Sequence, residues 1–341
     1  MILVSGGTGL VGSHLLFDLC KSGNNVRAIK RENSKIDNVK KVFSYYANNA
    51  QDLLKNIEWV NADLLDIGSL EQAMEGVTEV YHCAAMVSFD SKKEVEMMHI
   101  NINGTANMVN VALAKGIRKF CHVSSIAAIG AEEHGKDATE ETFWKSSSEN
   151  SNYSISKYGA EREVWRASAE GLDVIIVNPA LIIGAGNWQQ SSSNMFTKAY
   201  KGIKFYTDGI TGFVDVRDVA KLMIQLMNSE QKNERFIINS ENKSFKTFFE
   251  IMHQAFNKPV PTIKAGKFLS DFAWITEKIR CSISGNTPLI TKETARSAHK
   301  VSNYSSKKIQ RVFPDYKFIS VEQSVKDTCK LFLRDVPKVL H

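Results

Sequence analysis

The sequence predicts an α/β fold: a doubly wound parallel sheet followed by a smaller, mostly helical region toward the C-terminus. Three observations predict it. Over the first half of the 341 residues, short β-branched apolar runs alternate with longer segments of helical period, the rhythm of strand, crossover helix and parallel strand. Each of those strands is followed by Gly, Ser, Asn or Asp, the residues an open α/β sheet sets at its carboxyl edge, where ligands bind. After Gly184 the rhythm breaks into a Ser- and Asn-bearing stretch, isolated helical segments and Pro259, Pro261 and Pro288.

Element by element, Ile2–Ser5 reads as the first strand. Val11–Cys20 reads as a helix because Val11, Leu15, Leu16 and Leu19 fall on one face. The turn Ser22-Gly23-Asn24 leads into a second strand at 25–30. Residues 31–56 are polar, with a helix expected around Val39–Ala47 and no role in the sheet. Then come a strand at Ile57–Asn61, a short helix at Ser69–Glu75, a strand at Val77–His82, one long helix over Glu94–Lys115 and a strand at Phe120–Ser124. Tyr153–Glu170 reads as helix and Asp173–Asn178 as strand, closed by Pro179. Val214–Val216 and Arg235–Ile238 read as short strands. The expected division is therefore a nucleotide-binding domain over 1–184, revisited by 213–240, and a substrate-binding region over 185–341.

Composition narrows the function. With 43% apolar residues, the chain can bury a large core, and its net charge of +6 is scattered in pairs such as Lys40-Lys41 and Lys307-Lys308. That scatter makes no basic face, which argues against nucleic acid as a partner. No apolar run approaches the roughly 18 residues that span a bilayer, and Met1-Ile2-Leu3-Val4 lacks the basic flank of a signal peptide, so no membrane role is expected. Cys20, Cys83, Cys121, Cys281 and Cys329 lie far apart without C-x-x-C spacing, the pattern of reduced thiols in a cytoplasmic protein and of neither a disulfide framework nor a metal module.

The segment Gly6-Gly7-Thr8-Gly9-Leu10-Val11-Gly12 stands between the first strand and the first helix. In that position Gly6 permits a tight turn, Gly9 lets the backbone approach a pyrophosphate, and Gly12 lets the helix pack closely. The helix N-terminus then offers free N–H groups to the phosphates. The second strand decides between the two nicotinamide cofactors, because an acid at its end binds a ribose 2′-OH and a base accommodates a 2′-phosphate. Lys30 stands where the acid would be and Arg31 follows, favouring NADP(H), while Glu32 leaves room for NAD(H).

Tyr153 and Lys157 are four apart on one helix face. A phenol with a free pKa near ~10 is a poor acid-base catalyst at neutral pH until a neighbouring ammonium stabilises its phenolate. Upstream, Val123-Ser124-Ser125 closes a strand. At this point the chain resembles the extended short-chain dehydrogenase/reductase family, including its epimerase/dehydratase members. The matching elements are the glycine turn, Asp63-Leu64, Tyr81-His82-Cys83-Ala84-Ala85, Asn101-Ile102-Asn103-Gly104-Thr105, the serine strand, Y-x-x-x-K, Asn178–Gly184 and Phe213–Ala220, in order over residues 1 to about 240.

The resemblance implies a Rossmann fold, an NAD(P) cofactor and a small-molecule carbonyl or alcohol substrate, and it leaves a homodimer open. It implies that Tyr153 moves the proton, that Lys157 lowers the Tyr153 pKa and binds the nicotinamide ribose, and that Ser125 bonds the substrate oxygen. Asn101 matches the helix asparagine that supports the site, although an asparagine that merely bonds backbone reads the same way. Asp63 and Leu64 match the pair at the adenine, Ala84 and Ala85 the small residues lining the cofactor, and Pro179, Ala180, Leu181 and Ile182 the segment approaching the carboxamide. The second strand, Val214–Ala220 and the absence of an Asn-Val-Tyr-Gly run resemble the dihydroflavonol-reductase and cinnamoyl-CoA-reductase branch. A nucleotide-sugar epimerase or dehydratase, a hydroxysteroid dehydrogenase and a dinucleotide sensor without turnover stay open, the last disfavoured by the presence of both Tyr153 and Lys157.

Overall fold

The computed structural model describes residues 1–130, 132, 136–266, 274 and 291–339. Its centre is a seven-stranded sheet built from β1 (Ile2–Ser5), β2 (Val26–Lys30), β3 (Ile57–Asn61), β4 (Glu79–His82), β5 (Lys119–Val123) and β6 (Asp173–Pro179), with a later strand, Glu234–Ile238, on the β6 edge. Every pairing in it is parallel, in the order β3-β2-β1-β4-β5-β6 and then the late strand. The chain runs outward from β1 in both directions, so the strand order reverses between β1 and β4, and a crevice opens there at the carboxyl ends.

Helices cover both faces, which is why the strands read as nearly continuous apolar runs. The helices among the described residues are α1 (Leu10–Lys21), α2 (Asp37–Tyr46), α3 (Ala50–Leu54), α4 (Ile67–Ala73), α5 (Glu94–Met98), α6 (Gly104–Ala114), α7 (Asn152–Ala169), α8 (Asn194–Lys201), α9 (Val216–Met227), α10 (Phe245–Ala255), α11 (Lys292–Ser297), α12 (Lys307–Val312) and α13 (Val321–Val339). Successive strand residues serve opposite layers, as the two-residue period requires. Val4, Tyr81, Cys121 and Ile175 meet Leu16 of α1, Phe43 of α2 and Leu222 of α9, whereas Leu3, Val80, Phe120 and Ile176 meet Leu70 of α4, Met108 of α6 and Val164 of α7.

After β6 the chain leaves the sheet through β7 (Leu181–Ile183). It continues with β8 (Phe205–Tyr206), β9 (Ile210–Asp215), β10 (the late strand Glu234–Ile238), β11 (Glu241–Ser244) and β12 (Ile263–Lys264). β7, β9 and β11 form a small mixed sheet. Trp188, Phe196, Phe213, Phe248, Met252 and Phe332 make a third core among α8, α10 and α13. Asp335 on α13 accepts from Trp188 Nε1 (2.8 Å), the Lys41 ammonium (2.6 Å) and the Tyr45 hydroxyl, fastening this region to α2. Among the described residues no helix is long and apolar enough to cross a membrane, and Cys20, Cys83, Cys121 and Cys329 are free thiols. Cys281 and Pro288 lie outside the described residues.

Two expected elements differ. The single helix over 94–115 is interrupted by a π-helical segment, His99–Asn103. Asn101 turns its side chain onto the Met86 backbone and gives its own carbonyl to Thr105 Oγ1 at 2.6 Å, so the regular ladder slips by one residue there. The strand expected through Val216 ends at Asp215, whose carboxylate accepts the Arg217 N–H at 2.8 Å and starts α9 instead.

Three of the buried histidines, His14, His82 and His122, make the fold acid-sensitive. His14 is held between the Leu10 carbonyl and Tyr46. His82 is held between Ser5 and Thr105, and stacks at 5.3 Å on His122, whose ring nitrogens meet no partner among the described residues. Burial lowers His14 to about 4 and His82 to about 3, and pushes His122 well down. An unfolded imidazole takes up its proton near ~6.5, so as pH falls through that value the unfolded state gains about 2 kcal/mol by pH 5 for each of His14 and His82, and His122 acts in the same sense. Asp18 and Asp218, raised by burial to about 6, act in the opposite sense. They return about 1.3 kcal/mol each over the same interval, so His14, His82, Asp18 and Asp218 together should cost about 1 kcal/mol of stability between pH 7 and pH 5, and His122 adds to that cost in the same direction. Urea unfolding at the two pH values measures this, and equal unfolding free energies would contradict it.

Candidate active site

The turn after β1 is shaped by two glycines. Gly6 has φ +68°, and a Cβ there would lie 2.5 Å from the Ala84 nitrogen, so the turn packs directly on the chain leaving β4. A Cβ on Gly12 would fall 2.2 Å from the Gly6 carbonyl oxygen, which means that Gly12 lets the first turn of α1 close on the loop itself. Gly9 N–H donates to the Gly6 carbonyl at 2.9 Å, and the Thr8 carbonyl accepts from Asn38 at 3.2 Å. The N-cap of α1 is Gly9, with no side-chain cap and no acid in the first turn. The leading N–H groups of a twelve-residue helix therefore face a close-packed glycine cradle, the donor set that a diphosphate requires. Leu10 and Val11 form the helix entry, and a Cβ on Gly186 would meet the Leu10 side chain at 3.0 Å, so the chain beyond β7 passes close beside this helix end.

Other sequence-predicted positions lie along the same carboxyl edge. Lys30 ends β2 and donates to Asn61 at 2.8 Å, while the next residue, Arg31, is exposed. Asp63, after β3, accepts the Leu65 N–H at 2.9 Å; Asp66 is the residue that caps α4. Leu64 packs where a Cβ on Gly104 would stand, and its carbonyl accepts from Asn107. Ala84 and Ala85 follow β4, Pro179 closes β6, the Ala180 N–H donates to the Ile238 carbonyl at 3.0 Å, and Leu181 and Ile182 enter β7.

Ser125 lies two residues beyond β5 with extended backbone and caps a short 3₁₀ turn, accepting the Ala127 N–H at 3.1 Å. Its hydroxyl is near enough to the Tyr153 phenol to pull its pKa down, and the Tyr153 ring lies 5.7 Å from Phe89. Lys157 is buried one turn further along α7 and donates to the Val123 carbonyl at 2.8 Å. The structure thus brings Ser125, Tyr153 and Lys157 together. The depression of Tyr153 by Lys157 that the resemblance implies is not in place, however. Burial raises Tyr153 above its ordinary value, and Ser125 is the influence that opposes it. Lys157 itself is lowered by burial to about 8, against the pull of Glu161.

Asn101 sits apart from the other three. Its amide brackets Met86, accepting its N–H at 2.7 Å and donating to its carbonyl at 2.9 Å, and donates to Ser156 at 3.0 Å. Ser156 in turn donates to the Tyr153 carbonyl at 2.8 Å, so Asn101 reaches the tyrosine only through backbone. Sequence reasoning missed Glu161, buried on α7 and paired with Arg235 of β10. The available signal was spacing: Tyr153, Lys157 and Glu161 recur every four residues along one helix face.

Residues 2–239 match the family model described as the NAD dependent epimerase/dehydratase family. A protein named putative dihydroflavonol 4-reductase, from Synechocystis, is 29% identical over 338 residues, which cover 96% of this chain and 93% of that one. The crystal structure of gox2253 superposes with a TM-score of 0.80 at 27% identity, covering 98% of both chains. That of Gre2 in complex with NADPH, from Candida albicans, gives a TM-score of 0.75 at 21% identity and 98% coverage of both, a likeness of fold.

Proposed function

Because the chain belongs to the NAD dependent epimerase/dehydratase family and is an NAD(P)-dependent oxidoreductase of the extended short-chain dehydrogenase/reductase type, we propose that it reduces the carbonyl of a small molecule to an alcohol, with NADPH as the preferred cofactor. The observation that carries this reading is the approach of Ser125 to the Tyr153 phenol beside buried Lys157, on the same sheet edge as the glycine cradle. When bound, the dinucleotide supplies the two-electron reductant. Gly6, Thr8, Gly9, Leu10, Val11 and Gly12 hold its diphosphate, Asp63 and Leu64 its adenine, and Ala84 and Ala85 leave it room. Pro179 to Ile182 border the nicotinamide end, and residues from 185 onward supply the substrate contacts.

Ser125 orients the substrate oxygen by hydrogen bonding, and Tyr153 delivers the proton to that oxygen as negative charge develops on it. Burial holds Tyr153 in its neutral form, the protonation state that carbonyl reduction needs from a donor. Lys157 supplies the ammonium that stabilises the phenolate once the proton has left, and it binds the ribose hydroxyls. The relative named as a reductase supports net reduction over transient oxidation of a sugar. Incubating the purified protein with NADPH and a panel of aldehydes and ketones, against a panel of nucleotide sugars, tests the reading. Stoichiometric NADPH consumption is expected with the first panel; sugar conversion without net cofactor consumption would replace the proposal with an epimerase.

NADPH preference rests on Arg31. Lys30 is engaged by Asn61, whereas Arg31 is exposed and without a partner among the described residues. A charge-assisted contact to a 2′-phosphate is worth about 1.5 to 3 kcal/mol, roughly ten- to a hundredfold in affinity. Arg31→Ala should therefore weaken NADPH by that factor in a fluorescence titration and leave NADH unchanged, and equal losses for both cofactors would refute the assignment.

A further inference from the structure

Glu161 sits one turn beyond Lys157 on α7, 2% exposed, with a donor at every approach. One carboxylate oxygen accepts from Ser124 Oγ at 2.7 Å and from Asn178 Nδ2 at 2.8 Å; the other accepts from Arg235 at 3.1 Å and Trp165 Nε1 at 3.3 Å. These donors come from the end of β5, from β6, from β10 and from α7 itself. Asn178 also donates to the Ser125 carbonyl at 3.0 Å, and Arg235 spends its other N–H groups on the Glu140 and Thr142 carbonyls in the segment leading to α7. Buried charge of this kind persists only when paired and fully hydrogen-bonded.

We propose that Glu161 is the positioning residue of this site: with Arg235 as counter-ion, it fastens the strand end bearing Ser125 to the helix bearing Tyr153 and Lys157, and it sets a fixed negative charge one turn behind the Lys157 ammonium. This rests on the roles given above to Ser125, Tyr153 and Lys157. Lys157 interacts with His82 on β4, Cys83 just after it, His122 on β5 and Glu161 on α7, with Tyr153 one turn away on the same helix. Both imidazoles are held neutral, and the Cys83 thiol is pushed up to about 12, so Glu161 is the carboxylate that resists the loss of the Lys157 proton.

The test is a ¹³C NMR titration of lysine-labelled protein, with the Lys157 signal identified by its loss in Lys157→Arg. Glu161→Gln should lower the Lys157 titration by about one pH unit, and Glu161→Asp, which keeps the charge, should hold it within about 0.3 unit of the wild type. The alkaline limb of kcat/KM for reduction should move down with it. A Lys157 titration unmoved by Glu161→Gln overturns the proposal. Should that variant not fold, Arg235→Gln carries the test, because removing the counter-ion should raise the Lys157 titration, and no rise overturns it. Failure of every carbonyl in the substrate panel would refute the proposed reaction alone, since the titration needs no turnover.

Discussion

Tyr153→Phe is expected to lower turnover about 10²- to 10⁴-fold, the usual worth of a positioned acid-base group, while cofactor affinity stays nearly constant. The substitution deletes only the phenolic oxygen. The ring still packs at its 5.7 Å distance from Phe89, and Lys157 keeps its bond to the Val123 carbonyl, so the site loses its proton donor and little else. Ser125 loses the neighbouring phenol but remains anchored by the Ala127 N–H. The loss should fall on kcat, since the phenolic proton is needed only as charge develops on the substrate oxygen. Because burial raises the phenol in the free protein, an ultraviolet titration without cofactor should show Tyr153 ionising above its ordinary range. A Tyr153→Phe protein that retains most of its activity would move the proton transfer to another group.

Lys157→Met should reduce kcat/KM at least as much and should weaken cofactor binding too, because it removes both the ammonium beside the phenol and the expected ribose contact. Its effect on stability has the opposite sign to its effect on function. Burial lowers Lys157 to about 8 in the folded protein. With an unfolded value near ~10.4, keeping it charged at pH 7 costs about 3 kcal/mol, a cost complete below the folded value and relieved as pH rises toward the unfolded one. Methionine removes that cost but leaves the buried Val123 carbonyl without its donor, a loss of about 1 to 3 kcal/mol. The balance leaves the inactive variant as stable as the wild type or more so, which thermal unfolding at pH 7 can check. A variant that is inactive and also strongly destabilised would mean that Lys157 serves mainly to hold the fold.

The strands were legible because parallel strands covered on both faces are apolar without interruption, and a turn residue must follow each where the chain leaves the sheet. β1 and β3 fall at their expected bounds for that reason. The glycine turn was legible because Gly6 occupies a left-handed conformation that other residues rarely adopt, a constraint that local sequence must satisfy by itself. Tyr153, Lys157 and Ser125 were legible through a resemblance between motifs, and the fold supplied the proximity.

Order and local conformation were thus determined by the sequence alone: which segments form the central sheet, where the glycine turn lies, and which residue types stand at the carboxyl edge. Tertiary structure decided what depends on partners distant in the chain. The π-helical slip at Asn101 exists because the Met86 backbone, 15 residues earlier, takes that side chain's hydrogen bonds. The Tyr153 phenol is raised because desolvation in the assembled site outweighs the pull of Ser125, while Lys157 bonds a carbonyl. Glu161 reads as one more charged residue on a helix until β10 returns to the sheet edge and sets Arg235 against it, 74 residues on. Each of these is an electrostatic balance between groups that only the closed fold brings into one low-dielectric space, and no local pattern encodes the partner.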